Sequence, residues 1–425
     1  MAAVAVIGAG FVGLSSAYWL MREGHQVSLY EPRGAAGGAS FGNAGTFANY
    51  ACIPVNNPSV FRDLPRYLFS SQSPLRVRWS HMHALAPWLT RFLWASTPVR
   101  YTATATALSN LLARAQSGYD AMLAEADLQR FVRPQECLYL YSSAAAFEGA
   151  RQTLQLRRRL GVESEILDAD AIAQLEPQLS PIFHRGALFK GSWHLSDPSA
   201  FLHGLLAYLQ AKGLVVHPVA VTTVQANDRQ VRVLGLNHES AYDYLAICAG
   251  VYSKALAAQC GDDLPLQAER GYHLMFPGSA PLIARPVGWA ERGFYMTPMA
   301  HGIRVAGTVE LAGLGEEMHP GLLDLLNFAS HRALPGLGAP QSPWLGFRPT
   351  LPDGLPVLGR SRHSARVLYA FGHQHIGLTL GGLSGSVVAD LVSGRAAALD
   401  LHAFRAQRFK YFNYERGGSA SVIAP

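Results

Sequence analysis

Two glycine-rich stretches and one arginine-centred motif carry the residue types and spacings that could do chemistry. The first stretch is Gly8-Ala-Gly10-Phe-Val-Gly13, with Glu31 eighteen residues beyond its last glycine. Gly8 permits a tight turn, Gly10 lets backbone N–H groups approach a pyrophosphate, and Gly13 lets a following helix pack closely on a strand. Phe11 and Val12 lie within the turn, ahead of that helix, whose N-terminus favours negative charge. Glu31 would accept hydrogen bonds from a ribose, and its carboxylate would repel a 2′-phosphate, which argues against NADP. The chemistry is dinucleotide binding, against the plainer alternative of a structural glycine turn. The second stretch, Gly37-Gly-Ala-Ser40-Phe-Gly42-Asn43-Ala44-Gly45, is small and carries two side-chain hydrogen-bonders. Such a loop suits the extended diphosphate–ribityl chain of FAD, which NAD lacks, although a flexible connection would read the same way.

These residues need elements to hold them. Ala2–Ile7 is a continuous apolar run, as expected of a strand buried on both faces of a parallel sheet. A helix is expected over Leu14–Glu23 and a second strand over Gln26–Tyr30, so strand, turn, helix, strand and acid fit within 31 residues. Leu214–Pro218 and Val221–Val224 are apolar, and Tyr244 to Ser253 reads as a strand closing on the turn Cys248-Ala249-Gly250. Val367–Phe371 reads as a further strand, followed by the loop Gly372-His-Gln-His375-Ile376-Gly377-Leu378-Thr379 and a helix from about Gly385 to Ser393. The nucleotide fold is therefore split, beginning at residue 2 and ending near residue 370.

Composition narrows the class. The chain has 425 residues, 49% hydrophobic and 15% charged, which excludes intrinsic disorder. Lys+Arg 35 against Asp+Glu 29 leaves +6. No acid lies between Leu64 and Tyr119, where Arg66, Arg76, Arg78, Arg91, Arg100 and Arg114 equal that whole excess. A uniformly basic nucleic-acid binder is excluded, and one basic, aromatic segment needs its own explanation. Cys52, Cys137, Cys248 and Cys260 form no CxxC pair and no metal-ligand spacing, so they read as free thiols in a reducing compartment, and no metal is expected. The N-terminus lacks a signal-peptide pattern and no apolar run is long enough for a transmembrane helix. The expected location is the cytoplasm, with peripheral attachment to the inner face of the cell membrane as the alternative.

The motifs GAGFVG, SFGNAG, CAGVYS, ERGYHL, GFYMTP, GFRPTLPDGLPVLGRS and FGHQHIGLTLGG, spread over nearly the whole chain, resemble the FAD-dependent amino-acid oxidase and dehydrogenase superfamily that includes glycine oxidase, sarcosine oxidase and D-amino acid oxidase. The nearest subgroup is similar to bacterial D-amino acid dehydrogenases, including those acting on D-proline and hydroxy-D-proline. The resemblance implies an α/β fold, with a Rossmann-like doubly wound FAD-binding domain (1–50, 145–265 and 345–425) interleaved with an α+β substrate-binding domain (51–144 and 266–344). It implies non-covalent FAD on Gly8, Gly10, Gly13, Glu31, Ser40, Asn43, Ala44, Gly45, Val221, Ala249 and Gly250, with the backbone of Gly372–Thr379 at the flavin edge. It implies that Arg348 binds the substrate carboxylate, for which the guanidinium fork is suited; a structural ion pair is the alternative. Tyr295 and Tyr272 are candidate pocket walls or carboxylate hydrogen-bonders, and His375 would touch the flavin or the amine, or order its loop.

The implied reaction is oxidative deamination of a D-amino or imino acid by hydride transfer from Cα to flavin N5, with electrons passed to a quinone or another respiratory-chain acceptor. Two alternatives stay open: an H2O2-producing glycine or sarcosine-type oxidase, and a flavin subunit of a larger complex. Met82, Leu85, Leu89 and Phe92 recur at helical spacing within the acid-free stretch. Residues 64–119 would then either cap the substrate domain or dock on anionic lipid.

Overall fold

The computed structural model describes residues 1–58, 61, 75–341 and 343–412. Ala3–Ile7 is the central strand of a six-stranded sheet among these residues, pairing in parallel with Gln26–Tyr30 on one side and Tyr244–Ile247 on the other. Val215–His217 extends the sheet beyond Gln26–Tyr30, Val367–Phe371 extends it beyond Tyr244–Ile247, and Val357–Arg360 closes that edge antiparallel. Val4, Ala5 and Val6 are fully buried, because both faces are covered and alternation is not required of them. On one face Val224, Val231 and Val233 of a small antiparallel sheet (Val221–Ala226, Val231–Gly235, His238–Tyr242) pack over Ala5, Ile7, Leu245 and Ile247. On the other lie the helices Phe11–Arg22, Ser117–Glu125, Pro198–Ala211 and Gly377–Val392.

The last of these helices begins eight residues before the expected Gly385. Its first turns, Gly-Leu-Thr-Leu-Gly-Gly, read as a loop because glycine is a poor helix former. The structure gives those glycines another task. A Cβ on Gly382 would lie 2.5 Å from the carbonyl oxygen of Gly118, and one on Gly385 would lie 2.5 Å from the carbonyl carbon of Ser15. Only hydrogen fits where this helix crosses Ser117–Glu125 and Phe11–Arg22. The Tyr119 hydroxyl donates to the Leu378 carbonyl across the same contact.

A second, nine-stranded sheet runs Trp344–Thr350, Gln267–Pro277, Gly302–Leu311, Phe294–Met299, Val287–Trp289, Cys137–Tyr141, Arg185–Phe189 and Ser164–Asp168, with Leu75–Val77 paired to the end of Gly302–Leu311. Tyr272, Leu274, Phe276, Ile303 and Val305 point to one face and pack under helix Pro320–Ala333. The alternate residues point the other way. Trp344, His273, Ala306, Tyr295, Gly288 and Tyr139 stand in one cross-strand row on the face that meets the nucleotide-binding part.

Sheet membership redraws the expected boundaries. Ser164–Asp168 and Arg185–Phe189, assigned from sequence to the FAD-binding part, belong to the second sheet. Conversely, Leu108, Leu111, Leu112, Tyr119 and Met122, expected in the substrate part, lie in the core of the nucleotide-binding helix layer. Of the acid-free stretch, residues 64–74, Arg66 included, lie outside the described residues. Helix Met82–Ala95 places Leu85 and Trp88 against Leu311 and so covers the second sheet's edge, while Trp94 and Val99 are exposed.

Candidate active site

The two parts enclose a cleft of about 1530 Å³. Its nucleotide wall is built by the turn Gly8–Val12, by Glu31 at the end of its strand, and by Ser40, Asn43, Val221, Ala249 and Gly250. Gly8 has φ +106°, and a Cβ there would sit 2.6 Å from the Cys248 carbonyl oxygen. A Cβ on Gly13 would sit 1.8 Å from the Gly8 carbonyl oxygen, and one on Gly10 would sit 2.7 Å from Ser40 Oγ. The backbone is thus open to a pyrophosphate only because these three positions lack side chains. Glu31 already accepts from the Ala9 and Arg33 amides, at 3.0 and 3.1 Å, which holds its carboxylate against the turn. Ser40 Oγ accepts from Phe11 N at 3.2 Å and ties the second glycine loop to the first helix.

The N-termini of helices Phe11–Arg22 and Gly377–Val392 both open on this cleft, lined there by Phe11, Val12, Gly377 and Leu378. Each presents unpaired N–H groups and about half a positive charge to whatever anionic group lies between them. These features fit FAD: a phosphate cradle at one end, a carboxylate beside it, and a second helix N-terminus at the other.

The remaining expected cofactor residues are divided between the cleft wall and the layer behind it. Gly372 lines the cleft, Ile376 is buried beneath it, and Thr379 Oγ1 accepts from Ala48 N at 2.9 Å, joining this helix to the strand after the second glycine loop. Ala44 and Gly45 do not line the cleft; Gly45 N donates to Asn43 Oδ1 at 2.8 Å and packs against Met299 and Leu195.

Arg348 stands where Trp344–Thr350 borders the cleft, next to the lining residues Gly346, Phe347 and Pro349. Its side chain lies flat over Gly271, where a Cβ would meet Nη2 at 2.4 Å. Nη1 donates to Glu269 Oε1 at 2.8 Å and to the Thr308 carbonyl at 2.9 Å. Nη2 makes a 3.4 Å contact to Gly307 O, and among the described residues no acceptor takes Nε. One end of the guanidinium is therefore committed, and the Nε–Nη2 edge is the one presented. Thr308 has φ +59°, a strained position for a β-branched residue, beside a register shift in the adjacent strand. That conformation aims its carbonyl at Arg348.

His375 faces open volume but lies deep, and burial lowers its pKa; Glu269 opposes this and Arg348 reinforces it. The imidazole is neutral near pH 7. Its neighbour His373 is fully enclosed, bonds Ser384 Oγ at 2.8 Å, and is pushed by burial to about 3. Tyr295 lies on the cleft-facing side of the second sheet, with its ring 5.8 Å from Tyr139, and burial holds its hydroxyl well above the ordinary pKa. Tyr272 is placed elsewhere. Strand alternation turns it to the opposite face, 1% exposed, where its hydroxyl donates to Glu310 and accepts from His319 N at 3.2 Å. It braces the segment after Leu311 rather than walling the cleft.

Two groups escaped the sequence reading. Glu269 and Thr350, whose hydroxyl donates to Glu269 Oε2 at 3.2 Å, form the socket of Arg348. Arg304, 6% exposed, donates from Nη1 to the Phe41 and Asn43 carbonyls, both at 2.9 Å, and clamps the second glycine loop. His273 helps from the same face, stacked on Trp344 at 5.0 Å. The only signal for these residues was the presence of charge inside otherwise apolar strands. All four cysteines are buried free thiols, and Cys248, behind Gly8, is pushed by burial to about 12.

Known proteins align with this arrangement along almost its whole length. The chain is 34% identical over 416 residues to a D-amino-acid oxidase of Bradyrhizobium diazoefficiens, covering 96% of this chain and 98% of that one. It is 31% identical over 419 residues to D-amino acid dehydrogenase 2 of Ralstonia nicotianae, covering 93% and 97%. Among solved structures, glycine oxidase from Geobacillus kaustophilus superposes with a TM-score of 0.76 at 20% identity, over 96% of this chain and 99% of that one. The L-proline dehydrogenase from P. horikoshii gives 0.73 at 15%, over 97% and 98%. At those identities the structures speak for the fold alone. The family model described as FAD dependent oxidoreductase matches residues 3–391, from the first strand of the glycine turn through the helix that closes the cleft, so the chain belongs to the FAD-dependent oxidoreductase family and is an enzyme whose cofactor is FAD.

Proposed function

We propose that this enzyme oxidises D-amino acids, including D-proline-like imino acids such as hydroxy-D-proline, and passes the electrons to a quinone or another non-oxygen acceptor. The observation that carries the reading is Arg348, in a strand whose Gly346, Phe347 and Pro349 line the cleft, with Nη1 locked by Glu269 and Thr308 and Nε without a protein acceptor among the described residues. The Nε–Nη2 edge offers two parallel N–H donors, the geometry a carboxylate accepts bidentately. FAD when bound supplies the two-electron acceptor for hydride leaving the substrate Cα. The chain's own residues then bind and orient: Arg348 fixes the carboxylate, and Gly271, Gly288 and Gly346 on the same side of the sheet admit the side chains of Arg348, Tyr139 and Trp344 that lie over them. Neutral His375, close to Arg348 and Glu269, can take a proton from the substrate ammonium, which must become an amine before hydride leaves. The first-turn N–H groups of helix Gly377–Val392, where Gly377 and Leu378 line the cleft, would stabilise negative charge on a cofactor bound against them.

The names of the related D-amino-acid oxidase and dehydrogenases support the substrate class. Preference for cyclic imino acids rests on the likeness of GHQHIGLTLGG alone. The acceptor reading draws on the exposed Trp94 and Val99 in the acid-free stretch, with Arg100 over the Trp94 ring, a composition suited to a lipid surface. No helix among the described residues is long and apolar enough to cross a membrane. A panel of D- and L-amino acids, run with a dye acceptor both aerobically and anaerobically, tests both parts. Dye reduction by D-amino acids with little H2O2 is expected. Rapid H2O2 formation without dye would transfer the protein to the oxidases, and turnover of L-amino acids alone would refute the substrate class. Binding to anionic vesicles that is lost on Trp94→Ala would support docking; equal binding to neutral vesicles would not.

A further inference from the structure

We propose that Glu269 recognises the ammonium group of the substrate, so that Arg348 and Glu269 together read the two charges of an amino-acid zwitterion. The inference rests on the carboxylate-binding role given above to Arg348. A cleft that binds a carboxylate should exclude other carboxylates, yet Glu269 stands directly opposite Arg348 across the strand pair, on the cleft-facing side of the second sheet. Its side chain is 11% exposed and that of Arg348 is 23%. Glu269 takes one hydrogen bond on each oxygen, from Arg348 Nη1 at 2.8 Å and from the Thr350 hydroxyl at 3.2 Å. Each carboxylate oxygen can accept a second.

Glu269 takes only Nη1, the end that the strained Thr308 carbonyl also takes; Nη2 has only a 3.4 Å bond to the Gly307 carbonyl, and Nε has no protein acceptor among the described residues. The charged or titratable groups facing Glu269 are Arg348 from the neighbouring strand and His375 from the Gly372–Gly377 loop. A neutral ion pair with one donor edge and one set of free acceptor lone pairs complements a zwitterion. A ligand with only a carboxylate would gain Arg348 but meet the negative charge of Glu269. The substrate class this selects is 2-amino and 2-imino acids over 2-hydroxy acids or plain carboxylates.

The test uses the FAD-loaded enzyme reduced with dithionite under nitrogen, so that ligands bind without turning over. Binding is measured by calorimetry for D-proline against cyclopentanecarboxylate and for D-alanine against propionate, with wild type and Glu269→Gln. The glutamine keeps an acceptor oxygen for Arg348, and its amide NH2 can donate to the Thr350 hydroxyl oxygen, while the charge is removed. The expected result is that Glu269→Gln binds the amino acids at least about tenfold more weakly and the amine-free acids equally or more tightly. Loss of both ligands to the same extent would show that Glu269 only holds Arg348, and no change in either would show that it faces away from the ligand; either result overturns the proposal. If wild type binds the amine-free acids but no amino acid, the ammonium role fails; if it binds neither, the reading of Arg348 fails with it. Thermal melting of Glu269→Gln with FAD bound confirms that a loss of binding is not a loss of fold.

Discussion

Gly385→Ala decides by its sign whether the glycines of helix Gly377–Val392 serve packing. In an exposed helix, alanine for glycine stabilises by about 0.8–1 kcal/mol through lower chain entropy in the unfolded state and better backbone shielding. Gly149, in the exposed helix Ala144–Arg159 with nothing within 4 Å of its Cβ position, provides that reference. At Gly385 the added carbon would lie 2.5 Å from the Ser15 carbonyl carbon and oxygen and 2.8 Å from Ser16 N. These are backbone atoms and cannot rotate aside. Reaching an ordinary contact of 3.4 Å requires the two helices to separate by about 0.9 Å, and overpacking of this kind costs about 1–3 kcal/mol. Both helices begin at the cleft, so the separation also spreads the N-termini that face the cofactor. Melting followed by FAD fluorescence release should therefore show Gly149→Ala stabilised and Gly385→Ala destabilised, with weaker FAD retention in the second only. Stabilisation of Gly385→Ala to the same degree as Gly149→Ala would refute the packing argument.

Arg348→Lys replaces the fork with a point charge and should raise KM for the amino acid by about 100-fold or more, with FAD retention unchanged; steady-state kinetics on the dye acceptor check it. Arg304→Met leaves the Phe41 and Asn43 carbonyls without their donor, and equilibrium dialysis should show FAD binding weakened by about 1–3 kcal/mol. The holoenzyme should lose stability in mild acid. His194, His273 and His373 are held by burial at about 4, 3 and 3, below the unfolded value near 6.5, so below pH 6.5 the unfolded chain binds more protons. The contribution of these depressed groups is complete above pH 6.5 and falls by up to about 4 kcal/mol per pH unit towards pH 4. A melting temperature that stays level between pH 7 and 5 would contradict the burial of these rings.

The first 31 residues show how much is legible locally. An apolar run, a glycine turn, a helix, a second strand and an acid are adjacent in the chain, and the structure places them at Ala3–Ile7, Phe11–Arg22, Gln26–Tyr30 and Glu31. Gln26–Tyr30 and Val367–Phe371 have the expected bounds because each is a short apolar run ended by an acid or a glycine. The same locality failed for Gly377–Val392, where glycine pointed to a loop. Its reason lies in Ser15 and Gly118, which the chain brings near only after folding. Domain boundaries failed likewise, since strand pairing of Arg185–Phe189 with Cys137–Tyr141 has no local signature.

The sequence by itself marked a dinucleotide-binding turn, because an apolar run, spaced glycines and an acid are written residue by residue, while Arg348 was singled out by the likeness of its motif to a known family. Only the tertiary structure decided which side of strand Gln267–Pro277 meets the cleft: it turned Tyr272, a candidate pocket wall, away onto Glu310 and set Glu269 against Arg348. Periodicity encodes that a strand has two faces; which face is covered by helix Pro320–Ala333 and which by the nucleotide-binding part is settled by packing between segments far apart in sequence.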